Sequence, residues 1–177
     1  MKAKTKGYYK LREEIDWLAK KLEKQHKKHL ACKMGCDLCC MDYSLLPVEF
    51  YSIANALKDK NLKLDYPSVT KQGNCVFLKD HKCTIYSERP IICRTHGLPL
   101  LYMNENEEWE LSACELNFTT FDMDDFTNEN TFPQDRFNSD LFMLNKEFIR
   151  ELKDKNYGEF DLIPLRELIN HLETRKY

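Results

Sequence analysis

The chain of 177 residues is poor in glycine and has no long apolar run. Glycine occurs only five times and never as Gly-x-Gly, which argues against a Rossmann-type cofactor loop. No segment approaches the roughly 20 apolar residues of a membrane span, and no apolar stretch follows the basic start as in a signal peptide. P-loop, HExxH and nucleophile-elbow motifs are also missing. These absences predict a cytoplasmic protein without a membrane partner, and leave open whether it is an enzyme.

Positively charged side chains are missing from residues 104–135, although the chain as a whole is nearly neutral. The formal net charge is −2, yet residues 1–31 hold ten Lys/Arg against four Asp/Glu. Residues 104–135 hold ten Asp/Glu and no Lys/Arg. Such runs are typical of solvated surfaces, here a helix and a loop region. The small net charge predicts no nucleic-acid partner.

Hydrophobic spacing predicts one α+β domain over residues 1–177, mostly helical, with short strands around a cysteine-rich metal-binding centre. Helical packing elements are expected at about 5–30, from Pro47, at 140–154 and at 164–175, the last two within a C-terminal region of about 140–175. Strand pairs are expected at 74–78 with 83–86, and at 98–103 with 108–114. Between them, Ser87 is predicted to cap a helical turn with Pro90 near its start.

All eight cysteines lie between residues 32 and 114, and CKMGCDLCC at 32–40 holds four of them. A disulfide framework fits the even count, but a chain expected in the reducing cytosol does not favour it. Adjacent Cys39 and Cys40 cannot readily bond to each other. Cysteines acting only as small core residues would not explain the spacing.

A metal site explains most of the pattern. Thiolates two or three residues apart on a turn can converge on one centre, as four ligands of zinc or one ligand per iron of a cubane. Neighbouring side chains usually diverge, so Cys39 and Cys40 are expected to serve different centres, or one of them to be no ligand. Eight thiols would make two four-cysteine sites, or one site with spare thiols.

The predicted hairpin offers a geometric test. A loop of two or four residues pairs Leu78 with Cys83 and places Cys75 and Cys83 on opposite faces. An odd loop or a bulge brings both to one face. A shared ion favours the irregular version.

The first cluster, followed by GNCVFL at 73–78 and CTIYSERPIICR at 83–94, resembles the CxxCxxCC (YkgJ-like) family of zinc- or iron-chelating proteins. The second half of the family pattern is matched at Cys83, Ile85, Tyr86, Arg89, Pro90, Cys93 and Arg94. The resemblance implies that the metal is bound by Cys32, Cys36, Cys39, Cys40, Cys75, Cys83 and Cys93, with Cys114 as an eighth member. The first gap holds three residues here instead of two.

The resemblance also raises an alternative function, because the same domain occurs in flagellin lysine N-methylases. This alternative is an iron–sulfur-dependent enzyme that methylates protein lysines from S-adenosylmethionine. The spacing Cys32-x3-Cys36-x2-Cys39 is also that of radical S-adenosylmethionine enzymes. Those usually carry an aromatic residue in place of Leu38 and use a larger barrel. The main interpretation is a zinc- or iron-binding accessory module with one or two centres and an unspecified protein partner.

Several neighbours of the cysteines have two interpretations. Arg89 and Arg94 would stabilise nearby thiolates, or pair with the acidic stretch. Tyr86 is expected to pack beside the site with its hydroxyl bonded nearby.

The histidines are less informative than the cysteines. His96 could bind zinc, although eight thiols make it unnecessary. His26 and His29 are expected to be exposed, and the aromatic run at 118–126 to form core rather than a binding face.

Overall fold

A computed structural model describes residues 5–60, 74–152 and 156–174. The helices are α1 (Lys6–Gln25), α2 (Pro47–Asp59), α3 (Ile91–Thr95), α4 (Gln134–Glu151) and α5 (Glu167–Glu173). The strands are β1 (Ser44–Leu45), β2 (Leu78–Lys79), β3 (Lys82–Cys83), β4 (Leu100–Met103), β5 (Trp109–Ser112), β6 (Phe132–Pro133) and β7 (Ile163–Pro164). Helices with small sheets confirm the predicted α+β class.

The chain divides into two compact units, each made of separate segments. The first unit contains residues 1–9, 34–90 and 142–177, and the second contains 10–33 and 91–141. The division falls inside α1 and inside α4. A single domain over the whole chain therefore stays a prediction, and each unit is described by itself.

The first unit is built around α2. Pro47 occupies the first turn of this helix, where its missing N–H costs no hydrogen bond, as predicted. The predicted inward side is confirmed, with Val48, Phe50, Ile53, Ala54 and Leu57 all buried. Upstream of the helix, β1 pairs antiparallel with β7, with Leu45 opposite Ile163.

The strands β2 and β3 of the first unit form a short hairpin. Leu78 pairs with Cys83 and Lys79 with Lys82, which leaves a two-residue loop of Asp80 and His81. Both loop residues have positive φ, 49° and 58°, as a hairpin turn of this length requires. The register predicted for a two-residue loop is confirmed. The strands are shorter than predicted, because the Leu78 N–H donates to the Cys75 carbonyl and folds 75–78 into a turn.

A three-stranded sheet in the order β5-β4-β6 lies in the second unit. The predicted pair is confirmed, with Leu101 opposite Leu111 and Met103 opposite Trp109. Parallel to β4 runs β6, which leads directly into α4. Phe132 and Phe137 stack in the buried core with ring centroids 4.8 Å apart.

The prediction for His26 was wrong, because its side chain is only 2% exposed. Its ring packs edge-on against Phe118 and Phe121 with centroids 5.0 and 5.6 Å away. The Nε2 atom lies 2.6 Å from the Asn130 carbonyl oxygen. The aromatic run at 118–126 therefore packs on this histidine, as its predicted role in the core requires. His29 is half-buried in the same cluster, 4.8 Å from the Phe121 ring.

Several predicted boundaries were also wrong. The first helix ends at Gln25, and residues 26–29 form turns. The fourth begins at Gln134 rather than 140, directly after β6, with Asp135 favourably placed in its first turn. The last begins at Glu167, because Pro164 pairs with Ser44 in the sheet. Ser87 lies within a 3-10 turn, Tyr86–Glu88, and does not cap α3.

None of the helices in the described ranges has the length and apolar character that a membrane crossing needs.

Asn145 on α4 ties two other segments of the first unit together, and its removal should destabilise the protein. Its side chain accepts from the Val48 N–H (3.0 Å) and donates to the Glu159 carbonyl (2.9 Å), and it is fully buried. Asn145→Ala leaves both backbone groups without this partner, so we expect a loss of about 2–4 kcal/mol in the free energy of unfolding. Urea denaturation measures this loss.

Asn138→Ala is the matched control, because Asn138 is an exposed asparagine on the same helix. It should change the free energy of unfolding by less than about 0.5 kcal/mol. Equal effects of the two substitutions would refute the structural role of Asn145.

Candidate metal centre

The first unit brings together three of the predicted cysteines, Cys40, Cys75 and Cys83. The Cys75 N–H donates to the Cys40 carbonyl (3.2 Å), and Met41 and Asn74 form a β-bridge beside it. The hairpin then returns the chain to Cys83. Short backbone contacts therefore join the CKMGCDLCC loop to the second half of the cysteine pattern.

Burial acts on all three thiols, and neighbouring charge adds to it at two of them. The pKa of Cys40 is raised to about 12, mainly by burial and also by the charges of Cys39, Cys75, Cys83 and Asp37. The pKa of Cys75 is raised to about 11, again mainly by burial and also by the charge of Cys83. The pKa of Cys83 is also raised, again by burial first. Without a cation, these thiols hold their protons at neutral pH.

Backbone hydrogen bonds lower the pKa at two of these sulfurs, against the effect of burial. N–H groups of Phe77 and Leu78 bond to Cys75 and lower its pKa, and the Ile85 N–H does the same for Cys83. At both Cys75 and Cys83, the sulfur thus accepts from the N–H of the residue two positions later in the chain. Such hydrogen bonds stabilise a thiolate, which is the form that binds metal.

The charge of Arg89 also lowers the pKa of Cys83, which supports the thiolate-stabilising interpretation of this arginine. Its guanidinium lies 3.9 Å from the centre of the Tyr86 ring. The prediction of a packed Tyr86 was wrong, since this ring is 63% exposed and serves as a platform for Arg89. A second link was missed: His81 Nδ1 in the hairpin loop lies 2.9 Å from Asp37 Oδ2 in the first cysteine cluster.

The donor set suits zinc or iron, but the sulfurs do not converge. Across residues 5–60, 74–152 and 156–174, no group of three or more His, Cys, Asp or Glu side chains is close enough to hold one metal ion. Close approach of several thiolates requires a cation to offset their repulsion. The thiol chemistry therefore fits a metal, and the final approach of the sulfurs would accompany its binding.

Cys36 and Cys39 belong to the same loop of the first unit. Cys36 is half-buried and Cys39 is exposed. The Cys40 N–H donates to the Asp37 carbonyl (2.9 Å), which turns the chain immediately before the adjacent pair. The assignment of Cys39 and Cys40 to different centres stays a prediction.

The remaining cysteines, Cys32, Cys93 and Cys114, lie in the second unit. Asn117, which is buried, donates to Cys32 Sγ (3.4 Å) and to the Gly97 carbonyl (2.7 Å) and accepts from the Ala31 N–H (2.8 Å). Nothing in the sequence singled out Asn117, because its spacing to the cysteines follows no known ligand pattern. Metal binding by the full set of eight stays a prediction.

The second unit also contains Arg94 and His96, two basic residues close to Cys93 in sequence. Arg94 is buried and bonds through one nitrogen to both carboxylate oxygens of Asp16 on α1 (2.7 and 2.8 Å). It therefore pairs neither with thiolates nor with the acidic stretch in this contact. Burial lowers the pKa of His96, which keeps the imidazole neutral, and its ligand role stays a prediction.

Residues 31–115, just under half of the chain, match the family model "CxxCxxCC: Putative zinc- or iron-chelating domain". The resemblance to the CxxCxxCC family is thereby confirmed for this segment, and the match supports metal binding by it. The narrower YkgJ-like relation and the relation to lysine methylases stay predictions. No curated protein and no solved structure matches the chain.

The raised pKa values predict an alkaline weakness of the metal-free protein. In the folded state Cys40 and Cys75 hold their protons up to about pH 12 and 11, against 9.0 for an ordinary thiol. Their contribution to stability is present below pH 9 and is lost as the pH rises, because the unfolded chain then ionises first. Urea unfolding in chelator and reductant should show this fall above pH 9. Cys40→Ser with Cys75→Ser should flatten it, and an unchanged slope would contradict the assignment.

Gly97 should resist substitution because of its contact with Cys32. Its φ is +88°, and an added Cβ would lie 2.7 Å from Cys32 Sγ and 3.1 Å from Asn117 Nδ2. Gly97→Ala should lower the free energy of unfolding by about 1–3 kcal/mol. Gly158→Ala is the control, since its Cβ would meet nothing nearer than 3.5 Å. Thermal melts that shift equally for both variants would refute the special role of Gly97.

Proposed function

We propose that this chain, which carries a CxxCxxCC domain at residues 31–115, binds zinc or iron through cysteine thiolates and serves as a metal-binding accessory module. The observation that carries the proposal is the proximity of three partly buried thiols: the charges of Cys75 and Cys83 raise the pKa of Cys40, and the charge of Cys83 raises that of Cys75. Such a group of thiols is poorly solvated by water and well suited to bind a thiophilic cation.

In this proposal Cys40, Cys75 and Cys83 hold one ion, with a fourth thiol from Cys36 or Cys39 in the same loop. A bound cation would supply the positive charge that the clustered thiolates otherwise lack. The protein's own groups prepare for it in two ways. Backbone N–H groups bond to the sulfurs of Cys75 and Cys83, and Arg89 places its charge near Cys83.

The loop and the hairpin would be tied together by the shared ion. Loop residue Cys40 already accepts a backbone hydrogen bond from Cys75, and Asp37 already contacts His81. Binding would release protons, because the metal-free thiols are protonated at neutral pH. Metal affinity should therefore rise with pH.

Cys32, Cys93 and Cys114 leave two versions of the proposal. In one, they contribute to a second centre, and in the other they are spare thiols. The alternative function, iron–sulfur-dependent lysine methylation, gains no support from the described residues. Saturable binding of S-adenosylmethionine to the protein would be needed to support this alternative.

Metal content separates these versions. Protein purified anaerobically should contain zinc or iron, and acid-labile sulfide with visible absorption would identify an iron–sulfur cluster. Cys75→Ser should lower the metal content or weaken zinc binding at least about tenfold, since even changes around a ligand cost that much. Cys114→Ser should leave one metal in place if a single centre exists, and should remove one of two otherwise.

Thr84→Ser is the control for damage to the hairpin. Thr84 is half-buried beside Cys83 and bonds to the Phe77 carbonyl through a hydroxyl that serine retains. It should keep full metal content. Metal-free wild-type protein after anaerobic purification, or Cys75→Ser and Cys83→Ser protein with unchanged affinity, would refute the proposal.

A further inference from the structure

A groove of about 650 Å³ lies in the second unit, remote in sequence from the first cysteine cluster. One wall is a face of the small sheet, formed by Leu101, Trp109 and Leu111. The other wall contains Met123 and Phe126, from the turn after the sheet. Trp109 and Met123 are 65% and 64% exposed, so large apolar side chains meet water at its mouth.

Beside the groove lies a strand edge, since β5 pairs only with β4 among the described strands. The Asn104 N–H donates to the Glu108 carbonyl, and Tyr102 is opposite Glu110. Because hydrogen-bonded pairs alternate in an antiparallel ladder, the main-chain groups of Trp109 and Leu111 point outward. The two residues whose side chains line the groove thus also offer backbone partners at the open edge.

The second wall is fixed by its own polar contacts. Asn130 donates through its side chain to the Asp125 carbonyl (2.8 Å) and accepts from the Thr127 N–H (2.7 Å). The Thr131 hydroxyl donates to the Thr127 carbonyl (2.7 Å). Asp122 and Asp125 form a reciprocal capping box around the turn that carries Met123. Because these contacts already order the wall, less conformational entropy is lost when a ligand binds.

The exposed charge around the groove is mostly negative. Exposed carboxylates accompany Met123 and Phe126 on the second wall, at Asp122, Asp124, Asp125 and Glu129. Glu108 and Glu110 alternate with Trp109 and Leu111 along the chain, so they lie on the face of the sheet opposite the groove. The lining includes one cation, Arg136, which is paired with Glu14 and Asp140. A ligand at this edge therefore meets apolar side chains on the groove face, and carboxylates both beside the second wall and on the opposite face of the sheet.

We propose that this groove binds an extended, lysine- or arginine-rich peptide segment of a partner protein. The peptide adds as a strand to the β5 edge through the main chain of Trp109 and Leu111. Side chains then alternate, with apolar ones entering the groove and basic ones reaching the carboxylates. Charge complementarity selects a basic segment over a neutral or acidic one. The proposal does not depend on metal binding.

The test uses the acetylated peptide Lys-Val-Lys-Val-Lys-Val-Lys and the full chain with Trp17→Phe, which leaves Trp109 as the single tryptophan. Trp109 fluorescence should change saturably on titration, and added salt should weaken the binding. A twin with glutamate in place of lysine should not bind. A twin with proline at the central valine should bind at least about tenfold more weakly, since proline cannot donate to a ladder.

Protein variants locate the site by the anisotropy of the labelled peptide. Trp109→Ala and the pair Glu110→Lys with Asp124→Lys should each weaken binding at least about tenfold. Glu23→Lys is the control for a single charge reversal, because it replaces a carboxylate by an ammonium group at an exposed position on α1, and it should leave affinity within about twofold. Far-ultraviolet circular dichroism verifies that each variant is folded.

Four results would overturn the proposal: no saturable binding up to about 1 mM peptide, equal binding of the glutamate twin, equal binding of the proline twin, or equal loss in Glu23→Lys. A dimer in sedimentation that Trp109→Ala converts to monomer would instead assign the edge to a second copy of this chain. Metal analysis of the same variants keeps the two proposals apart, because groove variants should retain the metal content of wild type.

Discussion

The mutual repulsion of buried thiolates is the constraint on which the cysteine-rich region depends. Cys40, Cys75 and Cys83 are shielded from water strongly enough to raise their pKa values, and each charge would oppose the next. Three neighbouring thiols in this state have two stable conditions, fully protonated or neutralised by a cation. The backbone N–H groups at Cys75 and Cys83 favour the second, because they stabilise the ionised sulfur.

This constraint explains why irregular backbone surrounds the cysteines. A sulfur in a regular strand would receive no main-chain donor, because neighbouring strands use those N–H groups. The turn at 75–78 brings the N–H groups of Phe77 and Leu78 to Cys75, and the chain leaves the hairpin after Cys83, so that the Ile85 N–H reaches the second sulfur. The sequence-based geometric test assumed that Cys75 lies within a strand. The hairpin register was right, but the turn removes Cys75 from the ladder, so the argument about strand faces does not apply to it.

Local signals predicted the features that depend on nearby residues. Pro47 marked the start of α2, the alternating runs predicted the β4–β5 pair, and the cysteine spacing predicted the match of residues 31–115 to the CxxCxxCC domain. Contacts between distant segments were not predictable in this way. His26 follows directly after the basic first helix, and only the fold brings the aromatic run from about a hundred residues away to bury it. The roles of Asn117 and Asn145 could not be predicted for the same reason. A single buried amide follows no periodic pattern, and its hydrogen-bond partners lie far along the chain.

The acidic stretch shows what composition alone leaves out, because most of its carboxylates are exposed as predicted but are not on an open chain. Residues 104–135 were interpreted as a solvated region because they contain ten acids and no base. Self-repulsion of this kind normally favours an open chain. Yet the capping box at Asp122–Asp125 and the side-chain contacts of Asn130 hold several of the carboxylates on defined turns. These turns form one wall of an apolar groove, so the carboxylates occupy fixed positions at its rim. Like charges held in place beside apolar surface are relieved by a ligand of opposite charge more effectively than by mobile salt ions. This arrangement favours a basic peptide over a purely apolar ligand.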